Sequence, residues 1–401
     1  MASTPGPWLR LTALGAAGAT LLAVVSGSAG LGTAHRLLAA LALPPIVALV
    51  AAAWVAYRQL LAPAVTALGL FGCAALVSGS DVLHVALAAA AFAATCVAAA
   101  LTFRGERTHP LVFMNTSGWR DYLTLTKPRV MSLLLVTGAC GMVAGARGWP
   151  GTWQFAVAIG GLALACGGAS ALNHVMDADI DRLMGKRTER RPIAAGRLPP
   201  ARGIEFGLAL SALSFVVLAS ALNVLTATLA LVGNLFYVLV YTRWLKRSTP
   251  QNIVIGGAAG AVPPLVGWAA ATGNLALPAL WLFLIVFFWT PPHFWALALL
   301  IKENYAAAKV PMLPVVKGDR ETVRQIVIYT VVLLAVTVAP FAAGSFGLVY
   351  LASALVLGGI LLAGALALAR AATRRNAALL FHYSLLYLAL LFVAAALDPV
   401  L

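Results

Sequence analysis

Apolar runs of 18 or more residues recur along the whole chain, separated by short segments that hold nearly all of its charge. About 20 residues of helix cross a hydrocarbon core about 30 Å thick. Backbone groups in lipid must pair internally, which leaves helices or closed barrels. These runs are continuous rather than built of short alternating segments, so helices are predicted. A chain that is 62% hydrophobic and 10% charged exposes more apolar surface than a soluble core can hide.

Spans are read near 11–28, 36–56, 60–79, 83–103, 130–147, 152–173, 204–222, 224–242, 252–272, 277–300, 324–343, 346–369 and 377–397, about thirteen in all. Alternating them from a cytoplasmic N-terminus puts every Lys and Arg inside except Arg36 and Arg147. Such a bias fixes orientation in polytopic proteins, and a wrong span count would scramble it, so an N-in, C-out topology is predicted. It also explains the net charge of +15 without nucleic acid as a partner. The first run is read as a span rather than a signal peptide, although residues 26–29 are small. A polar stretch divides the chain into a four-helix membrane extension (1–104), a cytoplasmic linker (105–129) and a nine-helix unit (130–401). Cys73, Cys96, Cys140 and Cys166 lie inside apolar runs with no metal spacing and read as small buried hydrophobes.

Acids are scarce, and three of the twelve crowd together as Asp177, Asp179 and Asp181 at the end of the run 152–173. With Asn173 they spell N-x-x-x-D-x-x-x-D, which at helical spacing lines Asn173, Asp177 and Asp181 on one stripe and turns Asp179 away. Like charges at that spacing repel, so a cation over the stripe is one reading, and oxygen ligands suit Mg²⁺. A solvated acidic helix end, or pairing with Arg182 and Lys186, is the other. Arg182, Lys186, Arg187, Arg190, Arg191, Arg197 and Arg202 follow at once. Carboxylates for a metal beside guanidiniums for oxyanions are what a diphosphate requires.

A second group is Trp289-Thr290-Pro291-Pro292-His293-Phe294-Trp295, within the run 277–300. Two prolines there remove donors from the helix ladder, and the aromatics around the expected break suit either core packing or a flat ligand. His293 reads equally as a satisfied core histidine. Beyond it, Lys302-Glu303-Asn304-Tyr305 mixes an acid, an amide and a cation, and offers a second metal site across the cytoplasmic mouth.

Leu125-Thr126-Lys127-Pro128-Arg129-Val130, Asn173-His174-Val175-Met176-Asp177, Thr188-Glu189-Arg190-Arg191-Pro192, Pro291-Pro292-His293-Phe294-Trp295 and Pro311-Met312-Leu313-Pro314-Val315-Val316 together resemble the protohaem IX farnesyltransferases, or haem O synthases. These belong to the UbiA-type intramembrane prenyltransferases, nine-helix bundles, and the resemblance covers about residues 120–400. It implies transfer of a farnesyl group from farnesyl diphosphate to the 2-vinyl group of haem B, with water adding to give haem O. By the same resemblance, Asn173, Asp177 and Asp181 hold Mg²⁺ and the diphosphate and are the catalytic set. Lys127, Arg129, Arg190 and Arg191 grip phosphate oxygens, and His293, Trp295, Lys302 and Tyr305 contact substrate. Glu303 and Asn304 complete a second metal site. The family usually has Asp where this chain has Asn304, which weakens that second site.

The implied setting is the cell membrane, with the active site toward the cytoplasm and haem A synthase or cytochrome oxidase assembly factors as partner proteins. Residues 34–39 and His84 resemble half of haem A synthase more distantly, which would make His35 and His84 extra haem ligands near the outer surface. A transferase acting on a quinone or chlorin precursor is disfavoured by the P-P-H-F-W and P-M-L-P-V-V stretches. A polytopic transporter is disfavoured because no Asp or Glu falls mid-span and no repeat is seen.

Overall fold

The structure, a computed structural model, describes residues 7–28, 32–55, isolated positions between 64 and 96, and 118–400. Among the described residues it is all helical, and nine helices are long and apolar enough to cross a bilayer. They are α1 (Pro128–Ala146), α2 (Thr152–Met176), α3 (Pro200–Ala221), α4 (Val224–Ser248), α5 (Asn252–Thr272), α6 (Leu277–Leu300), α7 (Gly318–Ala342), α8 (Leu348–Arg370) and α9 (Arg374–Leu397). Each lies within a few residues of a run read from the sequence. The protein is a polytopic membrane protein.

Helices at Pro7–Ser28 and Gly32–Val55 stand where the first two of the four N-terminal spans are expected. The runs 60–79 and 83–103 fall largely outside the described residues, as do His84 and the side chain of His35. Leu21, Ala88 and Phe92 pack against the face made by Leu162 and Leu218, so the extension touches the bundle on the flank of α2 and α3.

In the bundle each helix packs on the next from α2 through α9, and α9 returns to both α6 and α1, while α1 lies against α5. Lipid supplies no hydrophobic drive between helices, so close approach of backbones at small residues must hold them. The α1–α5 crossing shows this most sharply: a Cβ built on Gly267 would fall 1.8 Å from the Gly138 carbonyl oxygen. A cluster including Leu282, Ile285, Trp289, Ile326, Tyr350, Tyr387 and Leu391 fills the space among α6 to α9.

The expected break at Pro291 and Pro292 does not occur. Helix α6 runs unbroken from Leu277 to Leu300 with both prolines buried. Two missing donors at consecutive positions leave the remaining ladder intact, which membrane helices tolerate. Helix α4 departs from regularity instead: Val224–Leu235 is α-helical, Phe236–Leu245 is a π-helix, and Lys246–Ser248 closes the span. Wider π turns concentrate at functional sites, and this one leads directly into the buried polar cluster described next.

Candidate active site

At the end of α2 the backbone N–H of Asp177 donates to the Asn173 carbonyl (2.8 Å), and that of Asp181 donates to the Asp177 carbonyl (2.8 Å). The four-residue spacing therefore carries through the junction with the short helix Ala178–Leu183, and the three side chains keep one face. All three are buried, Asn173 at 2% exposure and each aspartate at 1%. Asp179 points away, exposed, as its position on the helix requires.

Buried carboxylates need charge partners, and one comes from ten residues on and the other from 69. Lys246 Nζ lies 2.5 Å from Asp177 Oδ2, and Arg191 Nη1 lies 2.7 Å from Asp181 Oδ1. Lys127 Nζ donates to Asn173 Oδ1 (2.6 Å), while Asn173 Nδ2 donates to Asp177 Oδ2 (2.7 Å) and Thr242 Oγ1 (3.0 Å). Arg247 forks onto Asp179 with two 2.7 Å hydrogen bonds and stands 4.0 Å from Asp177 Oδ1. The π segment of α4 carries Thr242 and leads into Lys246 and Arg247.

Lys127 reaches the cluster from a left-handed backbone, φ 50° and ψ 58°, at the N-cap of α1 with Pro128 next. A non-glycine residue pays a strain of about 1–3 kcal/mol for such a conformation, and strain of this kind collects at functional sites. The short helix Trp119–Leu125 fixes the approach: Ser170 Oγ donates to the Leu125 carbonyl (2.6 Å), and Arg197 donates to Asp121 (3.0 Å). The last part of the expected linker is thus built into the site.

Burial, and then Arg191, pull the Lys127 ammonium down to about 7, with Lys246 adding to the effect and the two aspartates opposing it. Burial raises the Asp181 carboxyl above the usual range against the pull of Arg191. The hydrogen bond from Arg247 holds Asp179 below that range.

The other residues singled out by sequence distribute unevenly. Tyr305 is buried beside Ile180 and Met312, its hydroxyl pushed up to about 12 by burial, so the 302–312 segment does close over the aspartate helix. Asn304 Nδ2 donates to the Met184 carbonyl. Glu303, Arg129 and Arg190 are exposed, and no side-chain hydrogen bond or ion pair joins them to the cluster among the described residues. Lys302 pairs with Asp319 at 2.7 Å instead. His293 sits in the core, its Nδ1 2.7 Å from Ser384 Oγ and its ring stacked on Trp289 (4.3 Å) and Phe381 (4.7 Å). Trp295, 2% exposed, packs edge-on to Tyr329. Neither Arg182 nor Lys186 pairs with the stripe; Arg182 Nε donates to the Ala194 carbonyl (3.1 Å).

Among the described residues no three His, Cys, Asp or Glu side chains form a ready metal cluster. What the site offers is two buried carboxylates, each with one oxygen (Asp177 Oδ1, Asp181 Oδ2) that accepts no hydrogen bond. That donor set fits Mg²⁺, which takes one or two carboxylates and completes its octahedron with water and phosphate oxygens.

The UbiA prenyltransferase family model matches residues 134–393. The chain belongs to the UbiA prenyltransferase family. A protoheme IX farnesyltransferase of Gloeobacter violaceus is 50% identical over 301 residues, covering 75% of this chain and 97% of that protein. One from Thermus thermophilus is 54% identical over 297 residues, covering 73% of this chain and 48% of that protein. The chain thus spans about half the length of the Thermus relative, and the same holds for one from a Roseiflexus species. Among solved structures, a digeranylgeranylglyceryl phosphate synthase superposes with TM-score 0.59 at 17% identity over 70% of this chain and 98% of that one. A UbiA homolog from Archaeoglobus fulgidus gives 0.53 at 18% over 70% and 99%. These two likenesses bear on the UbiA fold alone.

Proposed function

We propose that this UbiA-family protein transfers the farnesyl group of farnesyl diphosphate to the 2-vinyl group of haem B, with Mg²⁺, giving haem O. The observation that carries the reading is the buried set Asn173, Asp177, Asp181, Lys127, Arg191 and Lys246, on a chain half identical to proteins named for that reaction.

Asp177 and Asp181 would hold Mg²⁺, which would neutralise charge on the diphosphate as it leaves. Lys127, Arg191 and Lys246 add three cations around the same acids and hold phosphate oxygens by charge-assisted hydrogen bonds. The C1–O bond of the allylic diphosphate breaks with both electrons going to oxygen. The allylic cation then bonds to the terminal vinyl carbon of haem, water adds at the inner one, and the proton of that water is lost. Helix α6 and its neighbours supply an apolar interior that keeps bulk water from the allylic cation until the vinyl group reaches it.

Residues 130–401 are the transferase, and 1–104 a membrane extension joined to it through 105–129, whose end builds the Lys127 side of the site. The protein lies in the cell membrane with the acid-bearing end toward the cytoplasm. In 118–400 every Lys and Arg but Arg147 belongs to that end, which supports the orientation. Glu303 stands exposed and Asn304 is engaged by Met184, so the reading uses one acid pair for the metal.

The test is product analysis. The full chain in lipid nanodiscs, given haem B, farnesyl diphosphate and Mg²⁺, yields a haem enlarged by one farnesyl group and one hydroxyl by mass spectrometry. Unchanged haem B, with farnesyl transferred to another acceptor or not at all, refutes the assignment.

A further inference from the structure

His174 is 2% exposed, and neither ring nitrogen has a hydrogen-bond partner in the structure. A buried polar atom left unpaired is a net cost to the fold, so such atoms are rare. The same molecule shows what a satisfied core histidine looks like: His293, also buried, places Nδ1 2.7 Å from Ser384 Oγ between two aromatic rings.

The position of His174 explains the difference. It precedes Asp177 by three residues and Asp181 by seven, so it shares their side of the helix. Three cations, Lys127, Arg191 and Lys246, gather on that side. These are the three cations that hold Asn173, Asp181 and Asp177. A buried ring with no protein partner, on the helix side whose polar residues bind these three cations, lacks a hydrogen-bond acceptor.

We infer that His174 is a further substrate-binding residue, donating a ring N–H to a phosphate oxygen of the allylic diphosphate. This rests on the reading of the cluster as a diphosphate site. The role is that of a hydrogen-bond donor and involves no proton transfer, so a carboxamide N–H substitutes for it.

The probe is inorganic pyrophosphate with Mg²⁺, titrated calorimetrically into the full chain in nanodiscs of zwitterionic lipid, alongside thermal unfolding without ligand. A hydrogen bond to a charged group is worth roughly tenfold or more in affinity. His174→Leu is expected to weaken pyrophosphate at least tenfold while leaving the ligand-free Tm unchanged or higher. His174→Gln is expected to recover affinity to within about threefold. The inference is overturned if His174→Leu binds pyrophosphate normally, if His174→Gln is as weak as His174→Leu, or if His174→Leu lowers the ligand-free Tm in step with the affinity. If Asp177→Asn weakens pyrophosphate and His174→Leu does not, this inference alone fails. If the unaltered chain binds no pyrophosphate, the diphosphate reading fails and takes the inference with it.

Discussion

Replacing Lys246 by methionine keeps the length of the side chain and deletes the charge that faces Asp177. The pair is close, 2.5 Å, and enclosed, with side-chain exposures of 11% and 1%. At an effective dielectric of about 20, two unit charges at that separation attract by about 6–7 kcal/mol, most of which offsets their desolvation. Removing one partner of such a pair typically costs about 3–5 kcal/mol because the other charge is left buried. Arg247 stands 4.0 Å from the other oxygen, and Asn173 still donates at 2.7 Å, so a loss near the low end, about 3 kcal/mol, is expected. Denaturant or thermal unfolding of the full chain in mild detergent measures it. Two further results follow from the same cause. Lys246→Met combined with Asp177→Asn recovers most of the stability, giving a coupling of about 2 kcal/mol or more. Mg²⁺ with pyrophosphate stabilises Lys246→Met less than it stabilises the unaltered chain, because one of the cations that hold phosphate oxygens is gone. If Lys246→Met is as stable as the parent, or the double variant is no better than the single, the buried pair is not what holds the end of α2.

Other consequences can be checked more briefly. Asp181→Asn and Arg191→Ala are each expected to lower kcat/KM for farnesyl diphosphate by about tenfold or more in a steady-state assay, with the KM for haem B little changed; equal loss for both substrates argues for general disorder of the site. Glu303→Gln and Lys302→Met, lying outside the cluster, are expected to change turnover and its Mg²⁺ dependence by less than about threefold. Gly267→Ala is expected to prevent correct packing of α1 on α5, since its Cβ would meet the Gly138 oxygen at 1.8 Å; folded yield in membranes reports this, and a normal yield contradicts the close crossing. Ser384→Ala frees His293 Nδ1 in the core and is expected to cost about 1–3 kcal/mol in unfolding assays without altering Mg²⁺ dependence.

Much of this architecture is written in local pattern. A helix must be long and apolar to cross lipid, so the nine spans of residues 128–397 stand out by length alone, and their ends shift only by a turn or so. Asn173, Asp177 and Asp181 are likewise legible, since a four-residue repeat on a helix is a geometric statement. Their partners are not. Lys246 meets Asp177 across 69 positions, and Thr242 meets Asn173 across the same interval. Both depend on where the π segment of α4 aims its side chains, which no periodicity in the sequence reveals. Arg182 and Lys186, near the acids in sequence, proved to be elsewhere, whereas Arg191, ten residues on, reaches Asp181 because the chain turns back after the Ala178–Leu183 helix.

In the aromatic stretch the sequence left two outcomes open, and only the expected helix break is contradicted. Two prolines and a histidine in an apolar helix suggest a break opening onto a ligand, yet His293 finds Ser384, Trp289 and Phe381, and the helix continues. Whether a polar group in an apolar run faces a ligand or a neighbour is decided by a contact 91 residues away. His174 was present in a motif without a role, because its distinction is the lack of a partner, visible only once every neighbour is placed.

In the proposed reaction, charge at the mouth of the bundle drives departure of the diphosphate. This is tested most directly by the initial rate of farnesyl transfer to haem B in nanodiscs, comparing the unaltered chain with Asp177→Asn/Asp181→Asn at saturating Mg²⁺ and in excess chelator. The unaltered chain is expected to need the divalent ion, and the double variant to lose roughly a thousandfold or more in rate while still unfolding cooperatively. A folded double variant that transfers farnesyl at the parental rate contradicts it.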